Sequence, residues 1–594
     1  MSQISGAELL IQFLEARGVT TVAGVPGGAA LPLYDALHKS RITHILARHE
    51  QGAGFIAQGM ARATGIPAVT IATSGPGATN LVTAVADAYA DSIPLLAITG
   101  QVPQHLIGTD AFQEVDACAL FRKITRKSFF VRSAHELYAI LPEAWSLLSD
   151  GRPGPVHIDI PKDVQNQKVD LQRFCFTARN EPLPDARLIS AAAVMIDQSE
   201  RPLFYIGGGI IAAGAAATLT RIAREQKIPV VSSLMGLGAY PADDELFLGM
   251  LGMHAAPYTN HIMHEADLLI AVGVRFDDRA TGKLEKFCPA AKVIHIDIDA
   301  RELGKLRMPQ IAIHADAETA LTALEAALPP MHERNDWHQA IAAMKEEHPH
   351  LPADDTGSAI HLMQMLDAAL SRDDIVTTDV GQHQMWAAQH LRFMEPRRFL
   401  TSGGLGTMGF GLPAAIGASL ATGKRVVCIT GDGSLMMNLQ ELATLAELGL
   451  PVKIIVLDNR NLGLVRQQQN LFFGGRLSAC EFARPTDFMA IAAAFGIETA
   501  AMDFHSVEAI ESFLASPGPG LLHVPIAEDE KVFPMVAPGA GNLDMIQSEK
   551  SKQNLHFFGN SAPLISYKGY GESPVSSECA SDAVVPCAGE ASGG

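Results

Sequence analysis

The chain has 594 residues, 48% of them hydrophobic and 18% charged, with Lys+Arg 45 against Asp+Glu 64 and a formal net charge of −19. Such apolar content excludes a disordered chain, and the acidic balance leaves no Lys/Arg-rich surface for a phosphate backbone, so no nucleic-acid partner is expected. No apolar run is long enough to span a bilayer, no secretory signal is visible at the amino terminus, and the 7 cysteines stand without a CxxC pair, which fits the cytoplasm and excludes cysteine-held zinc.

The length allows about three or four domains. Strand-length apolar runs alternate with helical patterns almost throughout, which predicts an α/β fold of doubly wound parallel sheets. The first helix opens on a capping box, Ser5 with Glu8, carries the stripe Leu9, Leu10, Phe13, Leu14, and closes at Gly18. A strand and the glycine turn 24–28 follow, then strands near 66–73 and 93–99 between helices near 50–64 and 79–90. This first unit is read as 1–170. A second, 185–330, has strands at 202–206, 228–232, 267–274 and 292–297, with the turn Gly207-Gly208-Gly209 and an Ala-rich helix after the first of them. Segment 331–355, rich in His and charge, reads as a connector. The third unit, 356–546, has strands at 375–378, 425–430, 452–457 and 520–525. From 547 to 594 the periodicity stops and Ser, Gly, Pro and Ala dominate, which reads as a disordered tail.

The strongest local signal is the strand 425–430, then Gly431-Asp432-Gly433-Ser434, a helix at 439–448, a strand at 452–457, and Asp458-Asn459. In such a βαβ unit both polar ends emerge at the carboxyl edge of neighbouring parallel strands, where open α/β sheets place ligands. Asp432 and Asn459, 27 positions apart, can therefore converge on one hard cation. A carboxylate and an amide oxygen, completed by phosphate oxygens and water, suit Mg2+, and the glycines let a diphosphate approach the backbone. GDG alone is equally an ordinary strand-to-helix turn with a capping Asp; Asn459 is what tips the reading.

GDGS followed after one helix and one strand by Asn resembles the thiamine diphosphate fingerprint. The resemblance extends to Arg48–Gly54, Thr73–Asn80, Gly108–Glu114, Gly249–His254, Arg275–Arg279 and Gly403–Gly417, all similar to the catalytic large subunits of the acetohydroxyacid (acetolactate) synthase family, and it covers the chain from about Ser5 to about Ile546. It implies three doubly wound parallel-sheet domains of the thiamine diphosphate-dependent type: pyrimidine-binding, central FAD-binding and diphosphate/Mg-binding in chain order. The implied cofactors are thiamine diphosphate, Mg2+ and FAD. The implied reaction decarboxylates pyruvate and ligates the two-carbon unit to pyruvate or 2-oxobutanoate, giving 2-acetolactate or 2-aceto-2-hydroxybutanoate for branched-chain amino-acid synthesis.

Residue by residue, the resemblance makes Glu50 the acid at the aminopyrimidine; a solvent-facing helix residue is the alternative, weakened by the close-packed neighbours Gly52 to Phe55. Met408 matches the bulky residue that holds the cofactor bent, although Met is also ordinary core filler. Gln382 and His383 match diphosphate contacts, joined by Gly27, Gly28, Gly433, Ser434, Gly463 and Leu464 in the cofactor set and by Asn461 beside the metal pair. Phe112 and Gln113 match residues near the reacting carbons. Lys162 matches a family Lys near the site and is equally a solvated strand-end Lys. Arg279 would bind the carboxylate of the second 2-oxo acid, against the alternative of an ion pair with Asp277 or Asp278.

The FAD set comprises Gly207, Gly208, Gly209, Met253, His254, Arg275, Asp277, Asp297, Asp316, Gly403 and Gly404, with Asp297 at a strand end where a ribose-binding acid sits. The implied reaction has no net redox change, so the flavin would be structural or vestigial. One position departs from the commonest family pattern: Gln468 stands where many members have Trp shaping the pocket for 2-oxobutanoate, which predicts weak acceptor preference. Glu50 argues against a glyoxylate carboligase. A pyruvate oxidase-like flavoenzyme is the competing enzyme reading, and a nucleotide-binding regulatory protein the non-enzyme one. A homodimer or tetramer with active sites between subunits and a regulatory small subunit are the expected partners.

Overall fold

A computed structural model describes residues 3–176, 182–350, 358–502 and 507–548, so the tail read from 547 onward lies almost wholly outside the described residues. Three six-stranded sheets account for the described strands apart from one pair. That pair joins Gln3–Ser5 antiparallel to Lys168–Asp170, fastening the chain start to the end of the first unit. The capping box forms as expected, with the Ser5 hydroxyl accepting from the Glu8 N–H and the Glu8 carboxylate accepting from the Ser5 N–H.

The first sheet runs Thr43–Leu46, Thr21–Gly24, Ala68–Ala72, Leu95–Gln101, Val156–Pro161, Lys127–Phe130, all parallel. The third runs Phe399–Leu400, Ile375–Thr378, Val426–Gly431, Val452–Asp458, Gly520–Pro525, Glu498–Ala501, also parallel. Numbered from its own first strand, each has the order 2-1-3-4-6-5, so the two outer units share one topology. The central sheet runs Phe247–Met250, Val230–Ser232, Pro202–Ile206, Leu268–Val272, Lys292–Asp297, Ile311–His314, the order 3-2-1-4-5-6 of dinucleotide-binding sheets.

The outer units meet along two helices, Glu50–Thr64 and Gly411–Thr422, whose facing sides are built of small residues. The contact is reciprocal: a Cβ on Gly59 would lie 2.1 Å from the Ala414 carbonyl oxygen, and one on Gly417 would lie 1.9 Å from that of Ile56. Backbone cannot yield as a side chain can. Gly417→Ala is accordingly expected to destabilise by about 1–3 kcal/mol, read as a lower unfolding temperature; an unchanged one would contradict this packing.

Two sequence expectations need correction. Segment 331–355 is not a plain connector: it contains the helix Asn335–Glu347, which buries Trp337 and Ile341 against the central sheet, the Trp337 indole N–H donating to the Pro202 carbonyl at 3.3 Å. Its apolar stripe is Trp337, Ile341, Met344, diluted in sequence by His and charge on the other face. The Ala-rich helix after Gly209 is two helices, Gly208–Ala213 and Ala216–Gln226, broken at Gly214, whose φ of 71° lies in the left-handed region.

Candidate active site

The structure gathers the candidate residues into three groups. The first lies at the carboxyl edge of the third sheet, where Val426–Gly431 and Val452–Asp458 pair in parallel with Gly431 opposite Leu457. Asp432 opens the short helix Asp432–Leu435; its Oδ1 accepts from the Gly433 N–H at 2.8 Å, while Oδ2 is buried with no partner. Burial, with Asp458 close by, pushes its carboxyl up to about 7. A buried carboxylate oxygen without a donor is costly, and a cation would satisfy it.

Asn459 donates to the Gln382 Oε1 at 3.2 Å and accepts the Asn461 N–H at 3.0 Å; the Asn461 side chain in turn accepts from Arg466 at 2.9 Å. Among the described residues no group of three or more His, Cys, Asp or Glu could hold a metal. The donors here thus fit a hard cation shared with an external phosphate ligand, not an all-protein cage.

Glycines keep the space beside these donors. A Cβ on Gly463 would fall 2.0 Å from the Gln382 Oε1 and 2.6 Å from the Asn459 Nδ2, and Cβ atoms on Gly381 and Gly431 would press the His383 ring at 2.9 and 3.0 Å. His383 is buried with Nε2 unpartnered, and burial holds it down at about 3, so the ring is neutral near pH 7. The Ser434 hydroxyl donates to the Val380 carbonyl at 2.8 Å. The site needs two residues that sequence reasoning missed. Gln467 accepts from the Gln382 amide at 3.0 Å and donates to the Val532 carbonyl, so the first Gln of the 467–469 run positions Gln382 while the second, Gln468, borders the cleft described below. Asp379, buried and pushed up to about 6 by that burial, accepts from the Gly409 N–H at 2.6 Å and the Thr430 hydroxyl at 3.0 Å, fixing the backbone next to Met408. Only the register at the end of strand Ile375–Thr378 could have signalled it.

The second group surrounds Glu50, first residue of its helix. Its Oε2 accepts from the Asn80 amide at 2.9 Å. A Cβ on Gly77 would lie 3.5 Å from the Glu50 Oε1, and one on Gly27 would run into the Thr73 side chain at 2.5 Å; Gly28 borders open space. Gly75, at φ 57°, lets the Gln113 backbone approach, while Phe112 projects from the same loop at 88% exposure. Lys162 opens the helix Lys162–Asn166, half-buried. The helix of Glu50 is held from the third unit: the buried Glu441 carboxylate accepts from the Arg48 and His49 N–H groups at 3.0 and 3.1 Å. An anion at that end also suits the helix dipole. Glu50 and Asp432 belong to different sheets and share no hydrogen-bond partner among the described residues.

The third group lines a cleft of about 810 Å³. It opens at the switch point of the central sheet, where Pro202–Ile206 and Leu268–Val272 send their connections opposite ways. Gly207 and Gly209 pack on Gly273 there, with Cβ positions 2.3 and 2.5 Å from its backbone. Gly208 and Gly209 line the cleft with Met253, His254, Arg275 and Asp277; so do Asp297, Asp316 and Gly403, and at one side Arg279, Leu464 and Gln468. Gly207, Gly404 and Met408 adjoin these residues in sequence but are not in the lining.

Asp297, at its strand end, is pushed up to about 6 by burial, and its Oδ1 accepts the Asp299 N–H at 2.8 Å. Asp277 and Asp316 cap the helices Asp278–Thr281 and Ala317–Ala327, each accepting two backbone N–H groups. His254, brought down to about 4 mainly by burial, shares a hydrogen bond of 2.9 Å with the Pro534 carbonyl. Arg275 donates to the Ala90 carbonyl at 2.7 Å. Arg279 pairs with Asp278 at 3.2 Å, but both side chains are exposed, at 64% and 80%, so the pair is weak and the guanidinium can serve a ligand.

Comparison with known families matches each unit to one description. Residues 4–120 match the "Thiamine pyrophosphate enzyme, N-terminal TPP binding domain", 189–324 the central domain and 379–524 the C-terminal TPP binding domain, so the chain is a thiamine diphosphate-dependent enzyme. It is 50% identical to the acetolactate synthase isozyme 1 large subunit of Escherichia coli K12, over 92% of this chain and 98% of that one. Against the isozyme 2 large subunit of the same organism it is 49% identical over 92% and 100%, and against the chloroplastic acetolactate synthase 1 of Nicotiana tabacum 44% over 91% and 84%. The chain belongs to the acetolactate synthase family. No described helix is long and apolar enough to cross a membrane.

Proposed function

We propose that the acetolactate synthase activity of this chain converts pyruvate and a second 2-oxo acid, pyruvate or 2-oxobutanoate, to 2-acetolactate or 2-aceto-2-hydroxybutanoate, with Mg2+ and FAD beside thiamine diphosphate. The observation that carries the reading is the orphaned Asp432 carboxylate oxygen at the same sheet edge as Asn459. Asp432, Asn459 and Asn461 would hold Mg2+; Gln382, His383, Gly433, Ser434, Gly463 and Leu464 would surround the diphosphate. Thiamine diphosphate, when bound, supplies carbanion chemistry at its thiazolium C2. Glu50 would hold a proton at the aminopyrimidine N1′, with Gly27 and Gly28 beside the ring, and Met408 would fix the bend of the cofactor. Gln113, Phe112 and Lys162 would exclude water and orient the reacting carbons, and Arg279 would bind the acceptor carboxylate bidentately.

FAD in the cleft is supported by the 3-2-1-4-5-6 order, the glycines at its switch point and the buried Asp297. The division into units 1–170, 185–330 and 356–546 follows the three sheets. Because the Glu50 and Asp432 groups are separate, a whole site would combine the first unit of one subunit with the third of another, and the exposed Phe112, Leu405 and Met437 suit such an interface in a homodimer or tetramer. The relatives' designation as large subunits supports a regulatory small subunit, and the free thiols support a cytoplasmic location.

The test follows CO2, acetolactate and oxygen together, with pyruvate, Mg2+, thiamine diphosphate and FAD supplied. One acetolactate per CO2 without oxygen uptake is expected; oxygen consumption with acetate or acetyl phosphate would mean an oxidase. Competition between the two acceptors is expected to show weak preference, and Gln468→Trp to move it toward 2-oxobutanoate by about tenfold or more, the worth of one methylene in a fitted pocket. A wild type already strongly biased to 2-oxobutanoate would remove Gln468 from the specificity set.

A further inference from the structure

A buried ionic cluster stands between the units outside the residues assigned so far. The Arg62 guanidinium, 3% exposed, donates to Asp87 and Asp91, both at 0% exposure and 2.9 Å. Its other partners are the Thr401 carbonyl at 2.9 Å, the Gln58 Oε1 at 2.8 Å and the Phe410 ring, whose centroid is 4.8 Å away. One guanidinium against two carboxylates leaves an excess negative charge in the interior, which is costly unless further donors meet it. All the remaining donors come from one loop of the third unit: Ser402 and Thr407 give their hydroxyls to the Asp87 Oδ2, and Gly403 and Gly404 give their N–H groups to Asp91 at 3.1 and 2.7 Å. The Thr407 N–H closes the loop on the Ser402 oxygen at 2.9 Å. Met408 follows immediately. Part of the cluster also walls the cleft: Arg62, Asp91, Ser402 and Gly403 line it, with Gly406 of the same loop, while Asp87, Gly404 and Thr407 stand behind them. Arg275, from the central unit, docks on the carbonyl of Ala90, next to Asp91.

We propose that Asp87 and Asp91, charge-balanced by Arg62, are positioning residues that clamp the 402–407 loop, set Met408, and couple its placement to occupancy of the cleft. This rests on the reading of Met408 and of the cleft given above. It assigns the cleft ligand a task in a reaction without net redox change: the ligand and the two acids bear on one loop, so each favours the placement that suits the other. Coupling of binding is reciprocal, so anything that loosens the loop must weaken the cleft ligand as well.

Thr407→Val removes one hydroxyl from Asp87 at nearly constant shape, and Thr407→Ser keeps the hydroxyl. Holoenzyme kinetics are read together with FAD affinity, taken from flavin fluorescence during titration of the flavin-stripped protein. Loss of a hydrogen bond to a buried charge predicts for the Val variant about a tenfold fall in kcat, a pyruvate KM within about twofold, and about tenfold weaker FAD binding, with the Ser variant near wild type throughout. Equal effects of Val and Ser would overturn the clamp, and a fall in kcat with unchanged FAD affinity would overturn the coupling. A wild type that binds no FAD would instead sink the reading of the cleft and the coupling with it, while the kcat contrast between Val and Ser still decides the clamp. Asp87→Asn, followed with a thermal melt, should exceed Thr407→Val in the same direction on kcat and FAD affinity; a folded Asp87→Asn protein with wild-type values in both would refute the assignment.

Discussion

Glu50→Gln is expected to lower kcat by about 10²–10⁴-fold, the range for removal of a positioned acid or base. The substitution keeps size and shape at a helix start already fixed by the His49 cap, by Glu441 and by close packing at Gly52 and Gly54, so the fold should persist and the unfolding temperature should not fall. The Asn80 amide, which now donates to the Glu50 Oε2, can still find the oxygen of a Gln. What a Gln cannot do is hold and release a proton at a ring nitrogen. Thiamine diphosphate should therefore still bind, and hydrogen–deuterium exchange at its C2 should slow with kcat. A loss under about tenfold in both would remove Glu50 from the chemistry.

Replacing Asp432 is expected to act with opposite signs on the ligand-free and the loaded protein. Asp432→Asn removes a carboxylate whose charged form burial and the nearby Asp458 disfavour, so the ligand-free variant should unfold at a higher temperature than wild type. In the folded chain this carboxyl sits near 7, above its unfolded value, so its protonated form is the favoured one. Its contribution to stability is therefore fully present below the unfolded value and is lost as pH rises through about 7. The advantage of the Asn variant should then be small at pH 4–5 and larger at pH 8. With Mg2+ and thiamine diphosphate the order should reverse: wild type gains stability in proportion to ligand binding, and the variant gains little and loses activity. A variant that keeps the full Mg2+-dependent stabilisation would show that the cation does not bind Asp432.

Much of this was legible in the sequence for identifiable reasons. Strands buried on both faces read as unbroken apolar runs, so Pro202–Ile206, Lys292–Asp297, Ile375–Thr378 and Gly520–Pro525 fall where periodicity put them. The short edge strand Phe399–Leu400 and the antiparallel pair at the chain start were not visible, because two or three residues carry no period. For the site, the spacing from Asp432 to Asn459 was readable because one βαβ unit fixes it, and the parallel pairing of its two strands brings both residues to one sheet edge. Gln467, Asp379, Glu441 and the Arg62 cluster were not readable, since each acts on a partner far away in sequence. Arg62 and Thr401 lie 339 positions apart. Asp277 and Asp316, read as cofactor ligands, also serve as helix caps, a duty that their position just before each helix already announced.

The shared strand order of the outer units and the reciprocal contact of Gly59 and Gly417 have a consequence for descent. Glu50 lies nine residues before Gly59, and Met408 lies nine residues before Gly417, so the two occupy equivalent places in two copies of one pattern. Shared strand order and equal spacing of this kind are what fusion of a duplicated ancestor would produce. On the proposed roles of Glu50 and Met408, each copy of a symmetric ancestral pair would have had to serve the cofactor from one sequence. Once the copies were joined, one could keep an acid at that place and the other could put a bulky apolar side chain there, and the halves were free to diverge in chemistry while the glycine seam held them to a common shape.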